Sequence, residues 1–201
     1  MQNATPKNLI LLCGELLDEG TPAFIDGKGD CLTFSMKIVL PTGVDVLPVA
    51  IPKSKMDETV QKGSTLSVTG KLIAKETFSG GEQSLSLQVV VDDVYAGETE
   101  ITSGIFLSGN VMRKPYAYPT SDTLRAEFQM SVNGEVDEVF TVPVAAVGPA
   151  AEIANGLSLG DDISILGQLH SYEYLDLDGD IPSQKTAYEV EVLHFTALPK
   201  I

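Results

Sequence analysis

Arg113-Lys114-Pro115-Tyr116-Ala117-Tyr118 is the stretch of this chain in which cations and aromatic rings interleave. Such a mixture has a definite chemistry: guanidinium and ammonium groups meet phosphates, while tyrosine faces stack on planar bases at ~1–3 kcal/mol each. Arg125, His170, Tyr172 and Tyr174 extend the set in the same half of the chain. Residues 1–100 offer a thinner one, Lys37, Lys71, Lys75 and Phe78. Lysines along strands also suit a merely solvated face, and the tyrosines of 113–118 could instead pack on a barrel wall. Either way, the elements that carry these residues must present them together.

Other chemistries find little support. The only histidines, His170 and His194, fall in strand-like stretches, and no nucleophile–base pair can be assembled around them. The two cysteines, Cys13 and Cys31, read as reduced thiols, and neither has a histidine at metal-ligand spacing. Asp176-Leu177-Asp178-Gly179-Asp180 has a calcium-like composition without the spacing of an EF-hand loop. The expectation is a non-enzymatic protein without cofactor or metal.

The chain says nearly the same thing twice. Cys13-Gly14 returns as Ser108-Gly109, Phe34-Ser35-Met36 as Phe128-Gln129-Met130, and Pro48-Val49-Ala50 as Pro143-Val144-Ala145. Leu66, Val68, Gly70 and Leu72 return as Ile163, Ile165, Gly167 and Leu169. The offset is about 95 residues each time, the size of a small domain and too long for a solenoid repeat. Two modules are expected, 1–98 and 103–201, with 97–103 as the linker.

Period-2 alternation predicts strands at 9–17, 31–40, 44–51, 64–74 and 85–94, with a short helix at 54–61. The second module predicts strands at 105–112, 124–132, 138–147, 163–169 and 187–195, with a helix at 150–155. The acidic stretch 18–30, the run 113–118, the glycine-rich 77–82 and the longer 175–184 read as loops. Five strands with a helix between the third and fourth is the order of the oligonucleotide/oligosaccharide-binding (OB) barrel. The fold class expected is therefore all-β: two tandem five-stranded OB-fold barrels, each with that helix. Gly14 and Gly109, inside the first strands, would let one strand bend around a barrel corner.

The residue order resembles the bacterial single-stranded-DNA-binding protein family. Gly109-Asn110-Val111 with Pro115, Phe128-Gln129-Met130-Ser131-Val132-Asn133, Leu159-Gly160, Ile165-Leu166-Gly167-Gln168-Leu169 and Tyr188-Glu189-Val190-Glu191-Val192 carry it in the second module. Gly14-Glu15-Leu16, Lys62-Gly63 and Val68-Thr69-Gly70-Lys71-Leu72 carry it in the first. Glu15 and Asn110 stand where the family has arginine, and the chain has no tryptophan, on which the family stacks bases. The resemblance implies single-stranded DNA as the partner, a role in DNA replication, recombination or repair, and a homodimer presenting four OB-folds.

Charge pulls the other way. The formal net charge is −15, whereas nucleic-acid binders usually show a basic footprint. A binder of this composition must lean on stacking, and the second module, richer in tyrosine and arginine, is expected to do the work. The competing class is an acidic protein-interaction scaffold on the same duplicated fold, binding protein partners and no nucleic acid. The opening MQNATPKNLILLCGELL lacks a charged leader, and no run approaches the ~20 apolar residues of a membrane span. A cytoplasmic protein without membrane contact is expected.

Overall fold

The computed structural model describes residues 7–79, 82–97, 103–133, 139–176 and 182–197. Among the described residues, eleven strands and one α-helix form: β1 (Asn8–Leu16), β2 (Thr21–Ile25), β3 (Gly29–Leu40), β4 (Gly43–Pro52), β5 (Thr65–Ser79) and β6 (Glu82–Ala96), then β7 (Gly104–Pro119), β8 (Leu124–Asn133), β9 (Val139–Val147), α1 (Pro149–Asn155), β10 (Asp162–Asp176) and β11 (Ser183–Ala197). No helix among the described residues is long and apolar enough to cross a membrane.

The alternation read from the sequence is the alternation that packs. Phe34, Met36, Ile38 and Leu40 of β3 all point into the core, as do Phe128, Met130 and Val132 of β8. The core-facing sides roll the sheet closed. β1 pairs antiparallel with both β3 and β5, β3 with β4 and β5 with β6, and a short parallel ladder, Val49↔Val89 and Ala50↔Val90, joins β4 to β6. The chain is thus all-β with a closed five-stranded barrel, as the strand order predicts. From residue 104 the same order of pairings recurs: β7 with β8 and β10, β8 with β9, β10 with β11, and a parallel ladder at Val144↔Val190.

Closure of this kind brings backbones into contact, and the repeated glycines are where it happens. A Cβ at Gly14 would overlap the Lys37 carbonyl oxygen, and one at Gly109 the Ser131 carbonyl oxygen. Gly70 and Gly167 lie equally close to the Val90 and Glu191 carbonyls, and each sits at a register shift in its ladder. Only hydrogen fits in these four places.

Four sequence expectations need correction. β5, β6, β10 and β11 run further than the alternation predicts, so 77–79, 82, 175–176 and 183–184 are strand where loops are expected. No α-helix forms at 54–61. A single 3-10 turn, Lys53–Lys55, stands there instead. The Asp57 carboxylate accepts hydrogen bonds from the Thr59 backbone N–H and hydroxyl at 2.8 and 2.5 Å, a local turn that competes with helix. The helix at the matching place in the second half starts on Pro149 and buries Ala151 and Ala154. Within 18–30, expected to be a loop, β2 forms a hairpin with β3. The run 113–118 is also strand: β7 continues to Pro119, bending through register shifts on either side of Arg113. Of the expected loops and linker, 80–81, 98–102 and 177–181 lie outside the described residues.

The two halves meet along β1 and β7, which pair antiparallel from Asn8↔Leu107 to Leu11↔Gly104. The Asn8 side chain reinforces this seam. Its amide donates to the carbonyls of Leu72 and Asn133 at 2.7 and 3.0 Å, while its oxygen accepts from the Leu72 N–H at 2.9 Å. Farther out, the buried Asp45 at the start of β4 reaches β10, accepting from the Ser171 N–H at 2.7 Å and lying 3.0 Å from His170 Nδ1.

Gly109→Ala should therefore destabilise the protein by about 1–3 kcal/mol, the usual range for overpacking. Gly156→Ala, at the helix end where an added Cβ meets only the Ile153 oxygen at 3.4 Å, should stay within about 0.5 kcal/mol of the parent. Urea unfolding midpoints of the two variants test this, and equal midpoints would refute the steric account.

Candidate nucleic-acid interface

The late bend of β7 has a consequence at the surface. Beyond Arg113 the strand turns so that Tyr116 pairs with Glu127 and Tyr118 with Arg125 of β8. The two tyrosines lie two residues apart on one face, their rings 5.5 Å apart and tilted by 32°. On the other side, β10 runs past the barrel wall and carries His170, Tyr172 and Tyr174 on one face. Between these two strand ends opens a groove of about 560 Å³. Arg113, Tyr116 and Tyr172 stand at its sides, and Phe128, Gln129, Pro143 and Val144 of β8 and β9 line it. Phe128 and Val144 are buried, so their packing fixes the floor. The tyrosines are not: Tyr116 is 69% exposed and Tyr172 51%.

A cluster of charges crosses the groove. Arg125 Nε donates to Glu127 at 2.8 Å, and its Nη2 donates to both oxygens of Glu189 on β11, also at 2.8 Å. Tyr118 Oη donates to the same Glu127 oxygen at 2.6 Å. Burial disfavours charge on Arg125, but the hydrogen bonds it donates to Glu127 and Glu189 outweigh this and hold the guanidinium more firmly charged than usual. The Tyr118 and Arg125 donors together hold the Glu127 carboxyl below its ordinary range. The same bond raises the Tyr118 phenol. Burial, then repulsion from Glu189 and Glu127, raises that of Tyr172.

Of the residues singled out by sequence, Arg113, Tyr116, Arg125 and Tyr172 come together in the groove, and Tyr118 lies beside it in contact with Tyr116 and Glu127. Lys114 is exposed next to Arg113, and Tyr174 is exposed farther along β10. Arg113 and Lys114 have no ion-pair or hydrogen-bond partner among the described residues. His170 is placed differently. Its Nδ1 is engaged by Asp45 across the seam, and its Nε2 is buried without a hydrogen-bond partner among the described residues. In the first half, Lys37 stands opposite Glu15 in the β1–β3 ladder. Lys71 is half-buried on β5, Lys75 and Phe78 lie on β5, and the side chains of the last two are outside the described set.

The surface of the first half that matches the groove is built differently. Thr21 pairs with Thr33 there, as Tyr116 pairs with Glu127, and a Gln88–Thr33 hydrogen bond of 2.8 Å spans the strands. It has neither the tyrosine pair nor the guanidinium. Sequence reasoning missed Glu127 and Glu189. Glu127 was within reach, because it alternates with Arg125 on an exposed strand face. Glu189 becomes visible only through the barrel closure that brings β11 alongside β9.

No protein-family model matches the chain, and no curated protein matches it. Among solved structures, it is similar to the wild-type single-stranded DNA binding protein from Thermus aquaticus, with a TM-score of 0.73, 21% identity, and 96% of this chain and 93% of that one covered. A deletion mutant of the same Thermus aquaticus protein superposes with a TM-score of 0.71 at 21% identity, covering 94% and 93%. At this identity the likeness establishes a shared fold over nearly the whole of both chains.

The bond between Tyr118 and Glu127 makes a pH prediction. A carboxyl whose folded-state pKa is depressed adds stability above its unfolded pKa and loses it as pH falls through the folded value. Tyr118→Phe removes one of the two donors, so the Glu127 pKa should rise toward its ordinary 4.5. The stability difference between parent and variant should be present at neutral pH and close as pH falls from the ordinary value of 4.5 through the lowered folded-state value of the parent. Carboxyl carbon NMR titration reads the first effect and denaturant midpoints against pH the second; a difference that persists in acid contradicts the assignment.

Proposed function

We propose that this chain is a single-stranded DNA-binding protein whose working surface is the groove between β7, β8, β9 and the far end of β10. Its halves, 1–98 and 103–201, act as tandem OB-fold barrels. The observation that carries the reading is the pair of exposed tyrosines, Tyr116 and Tyr172, on opposite sides of an apolar-floored groove that Arg113 also lines, with Lys114 exposed next to it in the chain. In OB barrels the face of the second and third strands, with the connections after the first and fourth, is the binding surface. Here the groove floor comes from β8 and β9, and the two tyrosines from the ends of β7 and β10.

The protein binds and does not catalyse. A strand threading the groove lays its bases on Tyr116 and Tyr172 and its phosphates toward Arg113 and Lys114. Lys37, Lys71, Lys75 and Phe78 of the first half offer a weaker continuation of the path. Two chains assemble so that four barrels share one strand, and the protein serves replication, recombination or repair in the cytoplasm. The name of the Thermus aquaticus protein supports the reading, as does the residue pattern of 128–133 and 165–169. The −15 charge favours a second reading, an acidic scaffold for protein partners.

A fluorescent oligo-dT of ~35 nucleotides, long enough for several OB sites of ~4–16, discriminates between them. Binding should be saturable, in the micromolar range at physiological salt. With Arg113 and Lys114 as its two cations, each chain's groove should contribute only about −1.4 to the logarithmic salt slope. Tyr116→Ala and Tyr172→Ala should each weaken binding roughly 5- to 150-fold, as loss of one stacked base implies. No binding even at low salt would exclude DNA and leave the scaffold.

A further inference from the structure

We infer that Glu127 and Glu189 are specificity residues that occupy Arg125 and so make the groove select exposed bases over phosphate density. The inference rests on the DNA-binding reading above. Arg125 would be the best-placed cation in the groove, on the second strand between the two tyrosines. It faces carboxylates instead. Three hydrogen bonds of 2.8 Å take its Nε and Nη2, and its side chain is only 23% exposed. The cluster of one guanidinium and two carboxylates carries a formal charge of −1, and adding Arg113 brings the groove lining only to zero. Glu127 is held below its ordinary range, so its carboxylate stays ionised at neutral pH.

A neutral groove discriminates between ligands. Duplex DNA carries one negative charge per ~1.7 Å of axis, and a single strand about half that density. Binding that depends on phosphate attraction rises with charge density; binding that depends on stacking requires uncovered base faces. With Arg125 sequestered, a polyanion without bases meets at the groove only Arg113 and the neighbouring Lys114. A single strand has these and the faces of Tyr116 and Tyr172. The two glutamates thus weaken affinity for every phosphate polymer but weaken it most for those that offer nothing to stack.

The test uses the full chain with two probes, oligo-dT and inorganic polyphosphate, the second a phosphate chain with no bases. For the parent protein, polyphosphate should compete poorly against oligo-dT. In Glu127→Gln/Glu189→Gln, Arg125 becomes available: the oligo-dT salt slope should steepen by about 0.7, one phosphate contact on a single strand, and polyphosphate should become an effective competitor. An unchanged slope with unchanged competition overturns the inference, as does strong polyphosphate competition against the parent. Should the double variant fail to fold, single substitutions decide. Arg113→Gln should make the slope shallower by about 0.7, whereas Arg125→Gln, which leaves Glu127 and Glu189 uncompensated, should weaken binding without making the slope shallower. Equal loss of slope from both would show that Arg125 already meets phosphate, against the inference. Failure of the parent to bind oligo-dT at all overturns the DNA-binding reading and this inference with it, a result distinct from binding with an unaltered slope.

Discussion

Four backbone crossings without room for a side chain set the architecture of this protein. At Gly14, Gly70, Gly109 and Gly167 a strand passes a neighbouring carbonyl so closely that a methyl group would overlap it. A strand that must serve two neighbours at once, as β1 serves β3 and β5, has to bend sharply within one or two residues. The bend brings β1 against β3 and β7 against β8, and the register shifts at Gly70 and Gly167 let β5 and β10 follow the curve. Once the ring is shut, the inward faces have no route except into one another. The packing of Phe34, Met36, Phe128 and Met130 then follows from closure. The floor of the groove is the outer consequence of the same packing, since Phe128 and Val144 are held from within.

These crossings also explain what could be read in advance. The repeat was legible because closure demands glycine at fixed places, and the alternation was legible because one face of each strand is buried. Turns are less constrained. The 54–61 stretch has helix-compatible residues, yet a carboxylate–threonine bond two residues long diverts it, and a window of hydrophobic pattern does not register such a bond. In the sequence the run 113–118 reads as a loop, with Pro115 in its middle. Pro115 is in fact buried within β7, where the register shift removes the need for its missing N–H. Its tyrosines were identified by type, and their separation of two residues places both on one face once the segment is strand. The carboxylates were out of view for a different reason. Glu189 lies 64 residues from Arg125 in the chain, and only the pairing of β9 with β11 makes them neighbours.

Electrostatics in the groove is local balance inside an acidic whole. A chain of net charge −15 repels a phosphate strand at long range, and salt screens that repulsion over about 8–10 Å. Contacts inside the groove fall within this distance and are decided by nearby groups. There, two guanidinium groups face two carboxylates, and the exposed tyrosines add surface without charge. Recognition in such a place is governed by shape and stacking more than by attraction.

The antiparallel ladder between β1 and β7 joins two similar halves across a seam, with Asn8 and Asp45 reaching over it. Were the halves separate identical subunits, a two-fold interface would oblige both to carry the same residues. Joining them in one polypeptide lifts that obligation. A tyrosine can be placed at 116 while its counterpart at 21 stays threonine, and a mutation gained on one side need not be tolerated on the other. The covalent link also keeps the partner at a fixed local concentration, independent of how much protein the cell makes. Within one polypeptide, each half is free to carry residues that the other lacks.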